Sequence, residues 1–150
     1  MKILIKESTL KRIISELFDP NYTYPYHLVS QEKNSFWGSN DYRYRFTSKD
    51  NLDYDVLLNI NPVKKEGQVD FDAHKKDEVY TGYMGDNTNK GDAIKVLNTV
   101  WEIVLGHRKE MKKLHISGDP KTRIPYYEKI LQFGHIPYEK RNPSHIVVKM

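Results

Sequence analysis

The spacing of apolar side chains predicts strands in the first half of the chain and helices in the second. From residue 42 to residue 73 apolar side chains recur at every second position, as in Tyr42, Tyr44 and Phe46, which alternate with arginines. A period of two is typical of strands with one buried face. We therefore predict three antiparallel strands in this region. They cover residues 42–46, 54–60 and 69–73.

A helical period replaces this alternation after residue 92. Six apolar residues recur at intervals of three or four, and this spacing predicts a helix packed on a sheet. They are Ala93, Val96, Leu97, Val100, Ile103 and Val104. Gly106 is expected to end this helix. The pattern predicts further strands over 79–84, 114–116 and 145–149, and a second helix from Thr122 to Gly134.

This element order predicts one α+β (mixed α/β) domain over residues 1–150. Its central mixed sheet begins with antiparallel strands and continues as strand, loop, helix, strand, helix and strand. We expect residues 1–19 to add a strand and an amphipathic helix, which starts at Ser8. The segment 20–41 is rich in Tyr and Pro and has no clear period, so we interpret it as a long loop.

The amino-acid composition limits the cellular compartments and the kinds of chemistry that we expect for this protein. The 150 residues include no cysteine, which excludes disulfides and thiolate metal sites. The six histidines are scattered without ligand spacing, so we predict no metal site. No stretch reaches the roughly 20 apolar residues of a membrane helix, and the first residues do not have the pattern of a signal peptide. We expect a protein that is neither secreted nor embedded in a membrane.

The net charge of +4 lies in the second half of the chain, since the first 75 residues balance. A basic half can attract a phosphate-bearing ligand, either a nucleotide cofactor or a nucleic acid. A solvated surface with a mild bias explains the same excess. Small residues, Gly91 and Ala93, stand where the first long helix begins, and a phosphate can approach the free N–H groups of such a helix start. An ordinary strand-to-helix turn is the alternative interpretation of this loop.

The loop before this helix resembles the pyrophosphate loop of Gcn5-related N-acetyltransferases (GNAT), Arg/Gln-x-x-Gly-x-Gly/Ala. Gly91 and Ala93 match that motif, whereas Thr88 stands where Arg or Gln is usual. The resemblance implies a GNAT-like fold and acetyl-CoA as the cofactor. It implies that the cofactor is held by Thr88, Asn89, Lys90, Gly91, Asp92 and Ala93.

The second predicted helix resembles the family's later segment, Phe-Tyr-x-x-x-Gly-Phe. Tyr127 matches, while Phe133 and Gly134 stand in reversed order and are displaced by two residues. The resemblance implies acetyl transfer to an amine, with Tyr127 as the general acid that protonates the CoA thiolate. Glu78 and Asp72 are the candidates for the group that takes the amine proton. A core tyrosine and a solvated strand-end charge are the alternatives for Tyr127 and Glu78.

The chain also resembles small proteins of tailed bacteriophages, which implies the cytoplasm of a bacterial host or a phage particle as its location. Its first 17 residues resemble the Ile-Lys-x-Ser/Thr-x-Leu-x-x-Ile-Ile opening of some particle proteins. Three functions stay open: an N-acetyltransferase, a non-catalytic structural or host-protein-binding phage protein, and a nucleic-acid-binding module. Nucleic acid is the partner that we expect least, because the strand arginines Arg43 and Arg45 lie opposite the aromatic face.

Overall fold

The computed structural model of the chain describes residues 21–34, 38–49, 51–75, 93–118, 120–121 and 123–150. Seven strands and two helices are found in these ranges. The strands are β1 (Tyr26–Glu32), β2 (Asn40–Thr47), β3 (Leu52–Asn61), β4 (Glu66–Lys75), β5 (Lys113–Ser117), β6 (Tyr138–Asn142) and β7 (His145–Lys149). The helices are α1 (Ala93–Leu105) and α2 (Arg123–Phe133), and a short 3-10 helix covers Arg108–Glu110.

All seven strands join one sheet in the order β1-β2-β3-β4-β5-β7-β6. Strands β1 to β4 form an antiparallel meander along the chain. The connection through α1 then makes β5 parallel to β4, because a crossover helix returns the chain to the same end of the sheet. Strand β7 lies antiparallel between β5 and β6 and closes the far side.

The core lies on the sheet face that α1 and α2 cover. Four residues at alternate positions of β3 are fully buried there. They are Tyr54, Val56, Leu58 and Ile60. Helix α1 contributes Val96 and Val100 to this core, and α2 contributes Ile124. The opposite face is mostly polar, so one face of the sheet holds the fold together and the other is available for chemistry.

The predicted α+β, GNAT-like fold is wrong. The described residues form a sheet-dominated fold, in which seven strands outweigh two helices of 13 and 11 residues. The prediction gave the helices too much weight because a helical period spans many residues, whereas short exposed strands show no period at all.

Two strands were not predicted, and both are edge strands of the sheet. Strand β1 lies in the segment that we interpreted as a loop, and β6 follows α2. All side chains of β1 are exposed, and those of β6 are exposed except for the half-buried Tyr138. An edge strand with both faces in solvent needs no apolar alternation, so the sequence pattern could not reveal it.

The other predicted elements within the described ranges are present. Strands β2, β3 and β4 cover the three predicted antiparallel strands, and β5, β7, α1 and α2 lie where the pattern placed them. The predictions for residues 1–19 and 79–84 lie outside the described residues. Within the described ranges, no helix is long and apolar enough to cross a membrane.

Candidate functional site between two parallel strands

The pairing of the two parallel strands stops early. Strands β4 and β5 are paired only from Glu66 to Gln68 on one side and from Lys113 to His115 on the other. Strand β4 nevertheless continues to Lys75, and β5 continues to Ser117. Pairing with β5 therefore ends well before β4 does, and we call the unpaired carboxyl-terminal part of β4, together with the end of β5, the β4–β5 gap.

Both helices begin at this end of the sheet, α2 close to β5 and α1 on the β1–β2 side, where Lys95 and Asn98 contact Tyr24 and Tyr22. Helix α1 starts with Ala93 after β4, and α2 starts with Arg123 after β5. The carboxyl ends of parallel strands are where open sheets bind ligands, and a helix start adds unpaired N–H groups and a partial positive charge. Gly118 permits the tight exit from β5, because a Cβ atom there would lie 3.2 Å from the Cβ of Arg123. The local fold thus directs the start of α2 towards the gap, where Arg123 acts on the charge of Asp72.

Two carboxylates of β4 lie beside the gap on the polar face. Asp70 and Asp72 alternate with the core-facing residues of the strand. Burial raises the pKa of Asp70. Burial also raises the pKa of Asp72, and the negative charges of Asp70 and Asp55 add to the effect, while the Arg123 guanidinium opposes it. Asp72 is therefore a stronger base than an ordinary carboxylate and favours a cationic neighbour.

A hydrogen-bonded network stands next to these carboxylates. Asp55 of β3 lies directly opposite Asp72 in the strand register. Its Oδ1 accepts a hydrogen bond from Arg45 Nε at 2.8 Å, and its Oδ2 lies 3.1 Å from Nε2 of the buried His74. Burial acts to raise the pKa of Asp55, but the bonds from Arg45 and His74 outweigh burial and lower it. Asp55 stays ionised, and its charge adds to the larger effect of burial on the pKa of Asp72.

The residues predicted from sequence meet this site only in part. Tyr127 lies on α2, one turn after Arg123, and its half-buried ring packs against the core. Ala93 is the first residue of α1. Glu78 and the loop residues 88–92 lie outside the described residues, so the predicted cofactor loop and that candidate base stay predictions. Asp72, the other candidate base, stands at the gap.

A different polar cluster stabilises the opposite end of the sheet. The hydroxyl of Tyr42 donates to Glu110 Oε1 at 2.8 Å, and His107 Nδ1 donates to Glu110 Oε2 at 2.5 Å. The other His107 nitrogen, Nε2, lies 2.6 Å from the hydroxyl of Tyr44. Burial and the bond to Glu110 raise the pKa of Tyr42 to about 12. These contacts fasten the chain after α1 to strand β2.

Two histidines that are far apart in sequence also come together. His115 Nδ1 of β5 lies 2.9 Å from His145 Nε2 of β7, and Glu66 Oε2 lies 3.7 Å from the other nitrogen of His115. Burial lowers the pKa of His115, and the nearby charges of His145 and Arg141 lower it further against the effect of Glu66. In the part of the chain that the structure describes, no group of three or more side chains could hold a metal ion.

Comparison with known proteins leaves the family open. No protein-family model matches the chain, and no curated protein matches it. The resemblance to the GNAT motifs therefore stays a prediction about the loop and Tyr127.

The sequence could have revealed the polar face but not the site. Strand alternation already placed Asp55, Asp70 and Asp72 away from the core. What it could not give is the register that sets Asp55 opposite Asp72, or the point at which the pairing of β4 with β5 ends. Both depend on pairing between segments that are distant in sequence.

Proposed function

We propose that this chain transfers an acetyl group from acetyl-CoA to an amine in the β4–β5 gap. The observation that supports this most is the early end of the β4–β5 ladder, after Gln68 and His115. It leaves the carboxyl-terminal part of β4 unpaired with β5, beside the start of α2 and at a carboxylate with a raised pKa. The GNAT-like motifs of the sequence favour the same cofactor.

The open end fits the parts of acetyl-CoA. An extended arm with amide groups can lie along strand backbone, as peptides do at sheet edges. The pyrophosphate fits the first turn of α1 at Ala93, where the N–H groups have no partner within the helix. The loop residues Thr88, Asn89, Lys90, Gly91 and Asp92 complete this predicted contact. When bound, acetyl-CoA supplies an activated thioester.

Asp72 performs the two tasks that an amine substrate requires. Its carboxylate attracts an ammonium group, since Asp55 and Asp70 add negative charge around it. Its raised pKa then allows a carboxylate oxygen to take a proton from the amine nitrogen, because a base works best when its pKa approaches the working pH. Glu78 stays the other candidate for this proton transfer.

Tyr127 is the proposed proton donor on the other side of the reaction. It belongs to the helix that begins at the gap, one turn after Arg123. A phenolic hydroxyl is protonated at neutral pH and can give its proton to a departing thiolate.

The test compares two aspartates of the polar face. Calorimetric titration measures acetyl-CoA binding, and mass spectrometry measures acetylation of a panel of polyamines and peptides. We expect Asp72→Asn to keep acetyl-CoA binding and to lower the acetylation rate by about 10²-fold or more. The matched control is Asp53→Asn, since Asp53 lies on β3 and accepts a hydrogen bond from Thr47 at 2.7 Å.

Each outcome decides the proposal. Binding in the wild-type protein, together with a rate loss in Asp72→Asn alone, supports it. The absence of acetyl-CoA binding at millimolar concentration removes it. Binding with equal rates in both variants keeps the cofactor site and refutes the role of Asp72.

A non-catalytic protein-binding function is the second candidate, and β1 favours it. All side chains of this edge strand are exposed, among them Tyr26, Leu28 and Val29, at 37%, 44% and 43%. An edge with such residues can accept a strand from a phage or host protein. The register shift between Leu28 and Ser30 interrupts the edge, which limits regular pairing to its ends.

Self-association tests one form of this second candidate, in which the phage protein that pairs with β1 is another copy of the same chain. Sedimentation velocity would show a concentration-dependent assembly in the wild-type protein and a monomer in Leu28→Lys. The control is Gln31→Lys, which adds the same charge to the same strand away from the apolar residues. A monomer at every concentration would exclude pairing between copies through β1.

A further inference from the structure

Basic side chains from four separate segments meet at the end of the sheet opposite the gap. Six of them are exposed. They are Lys64, Lys65, Arg108, Lys109, Lys112 and Lys149, and we call this surface the basic end. They come from the β3–β4 turn, the 3-10 helix, the residue before β5 and the end of β7.

Backbone contacts hold three of these four segments side by side, and the 3-10 helix ends two residues before Lys112. The N–H of Lys112 donates to the carbonyl of Lys65 at 2.6 Å. Lys149 lies opposite Lys113 on the neighbouring strand β5. Neighbouring strands are about 4.8 Å apart, so the basic end extends across β4, β5 and β7 as one surface.

The turn that carries Lys64 and Lys65 is rigid. The side chain of Asn61 accepts hydrogen bonds from the N–H groups of Val63 and Lys64, both at 3.0 Å. The N–H of Lys65 donates to the carbonyl of Asn61 at 2.8 Å. The lysine backbones are therefore fixed before any partner binds, which reduces the entropy lost on binding.

The two acidic groups near this surface, Glu110 and Glu66, contact partners other than the six basic side chains. Glu110 uses one carboxylate oxygen for Tyr42 and the other for His107. The Oε2 atom of Glu66 lies 3.7 Å from Nε2 of His115. Within the described ranges, none of the six exposed basic side chains has an ion-pair partner. Lys113 and Lys149 lie directly opposite each other on neighbouring strands. Like charges in such positions destabilise a sheet.

We propose that the basic end binds the phosphate backbone of nucleic acid without reading its sequence. A dense polyanion gains most from such a surface, because each neutralised phosphate releases condensed counterions. Phosphate contacts fix position and carry no sequence information. The one exposed large apolar side chain at this end, among the described residues, is Val63, at 90% exposure. A single valine is a poor membrane anchor, so an anionic lipid surface is the less suitable partner.

This inference does not depend on the proposed acetyl transfer. The β4–β5 gap and the basic end lie at opposite ends of β4, which spans about 30 Å at the usual rise per residue. Nucleic acid bound at one end leaves the other accessible. From the sequence alone, nucleic acid was the partner that we expected least. The fold changes this expectation, because it brings together basic side chains that are far apart along the chain.

The experiment measures fluorescence anisotropy of a labelled DNA duplex of mixed sequence, titrated with the full chain over a series of salt concentrations. We expect binding at low salt that weakens steeply as salt increases. Lys64→Gln/Lys112→Gln should weaken binding and reduce the slope of log K against log salt by about one unit per lysine. The matched control, Lys49→Gln/Lys121→Gln, removes the same charge at the far end of the sheet.

Four results would overturn the inference. The first is no binding at low salt. The second is an equal loss in the test and control variants, which would indicate net charge alone. The third is displacement of the duplex by polyglutamate of equal charge concentration, which would indicate an acidic protein. The fourth is tighter binding to vesicles that contain phosphatidylserine. Circular dichroism and thermal melting establish that both variants are folded.

Discussion

The two ends of the parallel pair β4–β5 differ in pairing and in charge. At one end the strands are hydrogen-bonded from Glu66 to Gln68, and lysines surround them. At the other end this pairing has ended, and Asp70 and Asp72 lie on the unpaired part of β4. The paired end is fastened by Glu110 to strand β2. One sheet can therefore present a rigid cationic surface at one end and an unpaired anionic surface at the other.

The difference has a physical origin in what each end must satisfy. A paired strand end satisfies its backbone within the sheet, so only its side chains are available to a partner. An open strand end can also offer backbone groups to a ligand. We therefore assign surface recognition to the paired end and ligand binding to the open end.

Core packing should differ most between the two ends. Leu114 is fully buried at the paired end, whereas Ile116 is half-buried on the same strand near the gap. We expect Leu114→Ala to lower the free energy of unfolding by about 2–5 kcal/mol, because it leaves a cavity. The loss for Ile116→Ala should be clearly smaller. Urea denaturation measures both, and equal losses would show that the strands are equally packed at both ends.

The hydrogen bonds of Glu110 with Tyr42 and His107 should make the next largest contribution to the free energy of unfolding. Glu110→Gln removes the charge that Tyr42 and His107 bind, and we expect a loss of about 0.5–1.5 kcal/mol, since the side chain is partly exposed to solvent. Hydrogen bonds from His107 and Tyr42 overcome the effect of burial and lower the pKa of Glu110. This contribution is therefore present above the ordinary pKa of 4.5 and is lost as the pH falls through the lower pKa of the folded state.

Urea denaturation across the acid range tests this prediction. The difference between wild type and Glu110→Gln should shrink as the solution becomes more acidic. Glu32→Gln serves as the control, since Glu32 is exposed on β1. A constant difference at every pH would contradict the role of the Glu110 charge.

At the open end the aspartates should respond to pH with opposite signs. The raised pKa of Asp72 means that its ionisation destabilises the fold as the pH rises above 3.8. We expect Asp72→Asn to stabilise the protein near neutral pH by roughly 0.2–1 kcal/mol, since it removes the like charge opposite Asp55. Asp55→Asn should destabilise it there, because the lowered pKa of Asp55 indicates favourable pairing with Arg45 and His74.

Thermal melting of both variants at neutral pH and below pH 3.8 separates these effects. Both differences should diminish in acid, where the carboxylates become protonated. Destabilisation by Asp72→Asn near neutral pH would mean that a partner of Asp72 outweighs the repulsion.

The smallest effect is expected from the like charges at the paired end. Lys149→Glu places an acid opposite Lys113, which should stabilise the fold by roughly 0.2–1 kcal/mol at low salt. The same change should weaken binding to DNA. A salt series in urea denaturation checks the first effect, and an increase in stability that persists at high salt would contradict an electrostatic cause.

The sequence predicted the elements with a clear period and missed those without one. Strand β3 was predicted because Tyr54, Val56 and Leu58 alternate with polar residues. Strands β1 and β6 were missed because edge strands need no buried face, and with them the dominance of the sheet was missed. Asp72 was a candidate base because the resemblance to GNAT motifs implies such a group near the strand before the loop. Its environment could not be predicted, because Asp55 and Arg123 reach it from distant segments.

The most direct test of the account is a map of backbone amide chemical shifts on addition of acetyl-CoA. We expect the amide chemical shifts to change in β4 after Gln68, in β5 after His115 and at the start of α1, and to stay unchanged in β1 and β2. Such a map would support the β4–β5 gap as the cofactor site. An unchanged spectrum at millimolar acetyl-CoA, or changes confined to the basic end, would contradict it.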